Sequence, residues 1–322
     1  MSSKKKHKVI ALEEHYWDRE IADTFPPTER HGPRILDRLF DYSELRLAEM
    51  DEAGVDMQVL SQGAPSVQRL DSETAVRISR GANDRLAAMV AAHPDRFAAF
   101  AALPTADPAA AANELERCVT QLGFKGAMVH GLTNGLFLDD KQFWPIFERA
   151  QALDVPLYLH PATPDEAVVE RYYRDYVEDF PSILAASWGF TVETATQGIR
   201  MVLSGVFDKY PGLKIILGHM GEGLPFLLWR IDYTLKRQGN KIMPRTYREY
   251  FSEHFWITTS GNFSNPALLC SVMELGVDRI MFSIDYPFVD NKPGTDWIPH
   301  IPLSEEDKAK ILHGNAERLL RL

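Results

Sequence analysis

Eight short runs rich in Val, Ile, Leu and Phe alternate with longer stretches whose apolar residues recur at helical spacing, and no other feature limits the fold of this 322-residue chain so much. The runs fall at residues 8–13, 57–61, 97–101, 126–130, 156–160, 214–218, 255–259 and 279–283. Such alternation is what βα units produce, because a parallel sheet must be covered by the helices that connect its strands. Helical stretches lie between the runs, for example at 43–53, 72–92, 108–122, 141–153 and 194–209. Asp107-Pro108 reads as an N-cap with proline in the first turn, and Gly123 follows the last apolar residue of the same helix. Eight such units predict a (β/α)8 TIM barrel, formed as one domain over residues 1–322 without linker, repeat or low-complexity segment.

Composition narrows the function classes. Lys and Arg total 35 against 45 Asp and Glu, a net charge of -10, which disfavours a phosphate-tracking surface and so nucleic-acid binding. With 45% hydrophobic and 25% charged residues the chain is too apolar for intrinsic disorder. Its two cysteines, Cys118 and Cys270, lie far apart in stretches read as helices, so a reducing cytoplasm is expected rather than a disulfide scaffold. Residues 1–8 are basic, but only four apolar residues separate them from Glu13, too few for a signal-peptide core, and a solubilising terminus is expected. No run approaches the roughly 18 apolar residues of a membrane span, so no membrane partner is expected.

Polar residues collect at the C-terminal ends of the runs, where the active sites of such barrels lie. The first run leads into Glu13-Glu14-His15; residues i and i+2 of a strand face the same way, so Glu13 and His15 point together into the barrel mouth while Glu14 points away. The fifth run ends at His160, the sixth leads to His219 and Glu222, and the last leads to Asp285. A lone histidine after a strand is more often structural, but their coincidence on one face points to a divalent cation held by imidazoles and carboxylates. Without thiolates such a site suits Zn²⁺ or Mn²⁺. His130, ending the fourth run, ranks between these and His7, His31, His93, His254, His300 and His313, for which surface or capping roles are expected. Insertions at 18–39 and 162–186 follow the first and fifth runs and should overhang the same face. Their aromatic residues, Phe25 in the first and Tyr172, Tyr173, Tyr176 and Phe180 in the second, favour lids or subunit contacts.

Eight motifs in order carry a resemblance over nearly the whole chain. They are Val9-Ile-Ala-Leu-Glu-Glu-His15, Gly126-Ala-Met-Val-His-Gly131, Tyr158-Leu-His-Pro161, Ile215-Ile-Leu-Gly-His-Met-Gly-Glu-Gly-Leu-Pro225, Trp229-Arg-Ile-Asp232, Ile257-Thr-Thr-Ser-Gly-Asn-Phe263, Ser283-Ile-Asp-Tyr-Pro-Phe288 and Asn315-Ala-Glu-Arg-Leu319. With these motifs the chain resembles the amidohydrolase superfamily, and within it the metal-dependent, non-oxidative aromatic decarboxylases of the γ-resorcylate and 2,3-dihydroxybenzoate type. The resemblance implies metal ligation by Glu13, His15, His160 and Asp285, with His219 and Glu222 as an acid–base or orienting pair. Many hydrolases of the superfamily begin with His-x-His, and binuclear ones add a carbamylated lysine at the end of the fourth strand. Here the first motif is Glu-x-His, and Lys125 stands only at the start of that strand, which implies one divalent ion per subunit, Mn²⁺ or Zn²⁺.

The implied substrate is a hydroxylated aromatic acid. Phe25, Trp188, Phe190 and Phe288 are candidates for lining its pocket, with core or interface packing an equal reading of each. Arg230 could meet substrate, a neighbouring subunit or a structural ion-pair partner. The γ-resorcylate enzymes carry asparagine at the position of His130, a departure that bears on which hydroxybenzoate is used. Either Asp285 or His219 is then the proton donor, and a homodimer or homotetramer is expected. The competing reading is a mononuclear hydrolase in which the same ligands activate water against a lactone or amide.

Overall fold

The computed structural model describes residues 7–26, 31–238 and 243–322. Most of the basic N-terminal stretch, and residues 27–30 of the first insertion, lie outside the described residues.

All eight predicted runs are strands, and every paired neighbour is parallel. β1 (Ile10–Tyr16), β2 (Met57–Gln62) and β3 (Phe97–Ala99) form one sheet. β4 (Ala101–Ala102), β5 (Ala127–His130), β6 (Leu157–His160), β7 (Ile215–Leu217), β8 (Phe255–Thr258) and β9 (Ile280–Met281) form the other. The run predicted at 97–101 is thus divided at Phe100, where the chain changes partners. The Phe100 amide donates to Leu60 O and the Ala101 amide to Gly126 O, both at 2.9 Å, so β3 and β4 act as one barrel strand. A parallel bridge between Glu14 and Tyr286 closes the barrel from β1 to the segment after β9.

Alternation along the strands sorts the core into two layers. Ile10, Leu12, Met57, Val59, Ala98, Phe100, Met128, Tyr158, Ile216 and Met281 form the interior cluster. The residues between them, such as Ala11, Leu60, Ala99, Val129, Leu159, Leu217 and Ile257, pack outward against the helices. Each large apolar side chain buried in this way stabilises the fold by about 1.5–3 kcal/mol.

One irregularity decides where the functional residues point. Ala11 pairs with Gln58, whereas Glu14 pairs with Leu60, so β1 carries one residue more than β2 between the two pairs. Without that bulge the alternation begun by Ile10 and Leu12 would turn Glu14 into the barrel. With it, Glu13 and His15 face inward and Glu14 faces the helix layer, the re-aiming that bulges at barrel rims provide.

The helices carry the ends the sequence suggests. Asp107 accepts from the Ala110 amide at the start of Pro108–Gln121, Asp71 caps Ser72–Ala92, and Gly54 ends Glu44–Ala53 in the left-handed region. The stretch at 141–153 is a 3₁₀ turn, Lys141–Phe143, followed by the helix Trp144–Leu153. The helix expected at 194–209 starts earlier and is broken: it runs Gly189–Leu203, and Gly205, with φ 80°, separates it from Val206–Lys209. The insertions contain short helices rather than plain loops, Arg19–Ala22 and Pro33–Phe40 in the first and Glu166–Val168, Val169–Tyr173 and Pro181–Leu184 in the second. Tyr172, Tyr176 and Phe180 are exposed, while Tyr173 is buried. Among the described residues no helix is long and apolar enough to cross a membrane.

Candidate metal centre

The ends of β1 and β6 and the turn after β9 bring Glu13, His15, His160 and Asp285 together at the mouth of the barrel. One ligand atom from each lies within 4.8 Å of all the others. Glu13 Oε1 is 3.1 Å from His160 Nε2, and Asp285 Oδ1 is 3.4 Å from His15 Nε2.

Each of the three buried side chains of the cluster, Glu13, His15 and His160, is anchored through the atom that faces away from it. Glu13 Oε2 accepts from Tyr158 Oη and Ser260 Oγ, and Tyr158 Oη is itself 2.6 Å from Thr258 Oγ1. His15 Nδ1 contacts Ser61 Oγ at 3.2 Å, and His160 Nδ1 lies 2.6 Å from the Pro161 carbonyl, which fixes its proton there. Nε2 of His160 is thereby left with a lone pair directed at the cluster, the arrangement in which histidine binds a metal. Glu13 Oε1 and His15 Nε2 are buried and lack any hydrogen-bond partner. Buried polar atoms without partners are costly, and a cation satisfies two carboxylates and two imidazoles at once. The donor set therefore fits one divalent ion. Lys125 donates to Arg321 O at 3.0 Å, away from this face, and His130 occupies the strand end instead.

His219 and Glu222 stand beside the cluster in a turn of opposite hand to the surrounding helices. His219, Met220, Gly221, Glu222 and Gly223 have φ of 49°, 59°, 73°, 55° and 72°. For the non-glycine members this region costs roughly 1–2 kcal/mol each, strain of the kind that persists where a site requires it. The turn sets His219 Nδ1 2.7 Å from Glu222 Oε1 and leaves Nε2 3.7 Å from Glu13 Oε1 and 4.0 Å from Asp285 Oδ2. Gly218 precedes it because a side chain there would strike Glu13: an added Cβ would lie 2.6 Å from Oε2.

The electrostatics follow from crowding charges in a dry site. Burial alone would push the Glu13 carboxyl up, but the charge of His219 and the nearby His160 and His15 rings hold it well below the usual carboxylate range. Burial and the charge of Glu13 push Asp285 up to about 8, against the pull of His219 and His160. Burial disfavours a charged His219, yet Glu222, Glu13 and Asp285 raise it to about 10. His15 is lowered to about 4, chiefly by burial.

The remaining sequence candidates are placed less uniformly. His130 is buried, its ring 4.9 Å from that of His160 and both nitrogens without a partner. Phe288 lies 5.7 Å from the His15 ring at the rim. Phe25 is one step back, packed 4.9 Å from Trp17, whose ring contacts His31, which in turn contacts Phe288. Trp188 is exposed and Phe190 half-buried at the start of Gly189–Leu203. Arg230 is exposed, and among the described residues it forms no ion pair. It projects from Leu224–Arg237 on the face that also carries the exposed Phe226, Trp229 and Tyr233. His254 is neither a surface nor a capping residue. It is buried, stacked 4.3 Å from Phe207, with Nδ1 2.9 Å from Leu213 O, and burial lowers it. The sequence reading missed Tyr158, Ser260 and Ser61. Tyr158 was findable, since it sits two residues before His160 on the same face of one strand.

A family model described as Amidohydrolase matches residues 13–322. The chain is similar to the γ-resorcylate decarboxylase of Polaromonas sp. strain JS666, with 44% identity over 97% of this chain and 98% of that one. Its fold is similar to a 2,6-dihydroxybenzoate decarboxylase complexed with 2,6-dihydroxybenzoate, with TM-score 0.89, 41% identity, and coverage of 98% of this chain and 100% of the other. It is also similar to a dihydroxybenzoic acid decarboxylase from Polaromonas sp. JS666 with bound manganese and the inhibitor 2-nitroresorcinol, with TM-score 0.88, 44% identity and 98% coverage of both chains.

Proposed function

The chain belongs to the amidohydrolase family and is a metal-dependent hydroxybenzoate decarboxylase, and from that premise we propose that its substrate is a benzoate with a hydroxyl ortho to the carboxylate, split without oxidation into CO2 and a phenol. The observation that carries this reading is the convergence of Glu13, His15, His160 and Asp285, with His219 beside them. We assign those four as the holders of one divalent cation. Bound there, the ion would supply Lewis acidity to stabilise and orient the negatively charged substrate.

The rest of the chemistry falls to side chains. Direct loss of CO2 would leave an aryl carbanion whose lone pair lies in the ring plane, so a proton must reach the carboxyl-bearing carbon first. Asp285 is the assigned donor. Of the four holders its side chain opens furthest to the mouth, 13% exposed against 0% for Glu13 and His15 and 5% for His160. As the new C–H bond forms, the Asp285 O–H bond breaks. The bond to the carboxylate then breaks, its electron pair returns to the ring, aromaticity is restored and CO2 departs. His219, oriented by Glu222, returns a proton to Asp285; it is also the alternative donor. His130 is assigned to a polar substituent of the ring, and Phe288 to its apolar face.

The whole chain is read as one catalytic domain that assembles as a homodimer or homotetramer. The exposed Phe226, Trp229 and Tyr233 around Arg230, with Tyr172, Tyr176 and Phe180 of the second insertion, support such an interface. Light scattering showing a monomer at working concentration would refute it. The free Cys118 and Cys270 support a cytoplasmic location, which fractionation tests.

The reaction is tested by measuring CO2 release from a panel of hydroxybenzoates beside a panel of lactones and amides. Turnover confined to ortho-hydroxy acids is expected. Hydrolysis of a lactone or amide with no CO2 evolved would overturn the reading.

A further inference from the structure

Glu14 is fully buried, beside two of the assigned metal holders, and the reaction as described makes no use of it. The β1 bulge turns it outward, where its carboxylate meets four donors. Oε1 accepts from the Ile284 amide at 2.9 Å and from Ser283 Oγ at 3.3 Å. Oε2 accepts from the Tyr286 amide at 3.2 Å and from Gln58 Nε2 at 3.4 Å. The two amides flank Asp285, which has φ 74°, a conformation that L residues rarely hold unaided. The backbone fastens the same segment to β1: Asp285 N donates to Glu13 O at 3.1 Å, and His15 N to Tyr286 O at 2.6 Å. Behind the carboxylate, buried Arg46 donates to Gln58 Oε1 at 3.0 Å and to the His15 carbonyl, which ties Glu14's partner and a metal holder to one rigid group.

We propose that Glu14 is the positioning residue for Asp285: by bridging the amides of Ile284 and Tyr286 it holds the left-handed turn that aims the Asp285 carboxylate at His15 and the metal position. A strained backbone persists only where its surroundings over-determine it, and a carboxylate spanning both neighbouring amides does so at the residue in question. Each carboxylate oxygen of Glu14 faces only donors. A glutamine at this position, in either orientation, must therefore set an NH2 group against an amide N–H, although its shape is unchanged. The inference rests on the assignment of Asp285 as a metal holder.

The test is Mn²⁺ binding to the intact protein, measured by equilibrium dialysis and by the EPR spectrum of the bound ion. Glu14→Gln should keep the fold by circular dichroism, lose metal affinity about 10-fold and alter the spectrum, the scale on which groups supporting a ligand act. In an Asp285→Ala background the same substitution should cost nothing further, because its effect passes through Asp285. Wild-type affinity and spectrum in Glu14→Gln, or a full additional loss in the double variant, would overturn the proposal. If Asp285→Ala alone leaves the affinity unchanged, the metal assignment fails rather than the clamp. Hydrogen exchange at Ile284 and Tyr286 in Glu14→Gln then decides: selectively faster exchange supports the clamp and unchanged exchange overturns it. Should Glu14→Gln not fold, Gln58→Met removes one donor from Oε2, for an expected loss of about threefold in affinity. Wild-type affinity there counts against the proposal.

Discussion

His219 Nδ1 lies 2.7 Å from Glu222 Oε1, across a turn in which both residues hold positive φ. The contact commits Nδ1 to the carboxylate and leaves Nε2 facing Glu13 and Asp285, so the imidazole serves the cluster through one nitrogen only. His219→Asn should therefore retain the metal yet lose turnover by about 10²-fold or more, the scale of a lost proton-transfer group. Metal content and kcat measured on the same preparation check this. A near-normal rate would remove His219 from the mechanism.

The metal prediction concerns a different part of the same cluster. Chelation should abolish activity and Mn²⁺ should restore it. His160→Ala should lose metal and activity together, because it removes the Nε2 lone pair that the Nδ1 contact with Pro161 O directs inward. Elemental analysis of active, unsupplemented protein that finds well under one metal per chain would count against a resident ion.

Much of this site was legible because barrel strands point their ends at one face, so the i, i+2 spacing of Glu13 and His15 and the terminal positions of His160, His219 and Asp285 could be read as one constellation. The supporting geometry was not. The i, i+2 rule sets Glu13 and His15 on the face opposite Glu14, but that Ile10 and Leu12 also face inward requires the extra residue on β1, a pairing feature that a single strand's pattern does not contain. The partner change at Phe100 likewise depends on two neighbouring strands. The left-handed run from His219 to Gly223 contradicts local preference at three of its positions, so propensity reasoning could not reach it. His254 looked like a surface residue because its stacking partner, Phe207, is remote in sequence.

Glu193 supplies a pH dependence that is independent of the metal. Its carboxyl is buried at the rim, close enough that a Cβ added to Gly131 would lie 2.8 Å from Oε1, and Oε1 has no hydrogen-bond partner. Burial pushes Glu193 up to about 7 from its ordinary 4.5, with the charge of Arg69 opposing. The folded protein thus holds this proton more tightly than the unfolded chain, so the contribution of Glu193 to stability is fully present below pH 4.5 and is lost as pH rises through 7. Glu193→Gln carries no charge to bury. It should raise the Tm at pH 8 and leave it little changed at pH 4, so thermal unfolding followed across that range should show a flatter profile for the variant. Equal Tm values at pH 8 would sink the prediction.

The requirement that the ring carbon be protonated before CO2 leaves has consequences that can be read in the product. In D2O the phenol should carry one deuterium at the carbon that held the carboxylate, because the proposed donors, Asp285 and His219, exchange their protons with solvent. The proposed substrate offers its carboxylate and an adjacent ortho oxygen together, so acids lacking the ortho-hydroxyl should not turn over. By microscopic reversibility the same residues must remove that ring proton in the opposite direction, so the phenol in concentrated bicarbonate should be carboxylated slowly at the same ortho position. Proton NMR and mass spectrometry locate the deuterium, and an ortho-deoxy analogue tests the need for the second oxygen. Rapid decarboxylation of plain benzoate or of a para-hydroxybenzoate would eliminate the two-oxygen requirement. A product free of deuterium at that carbon would eliminate protonation from solvent-exchanging side chains, and with it the assignment of both Asp285 and His219 as donors.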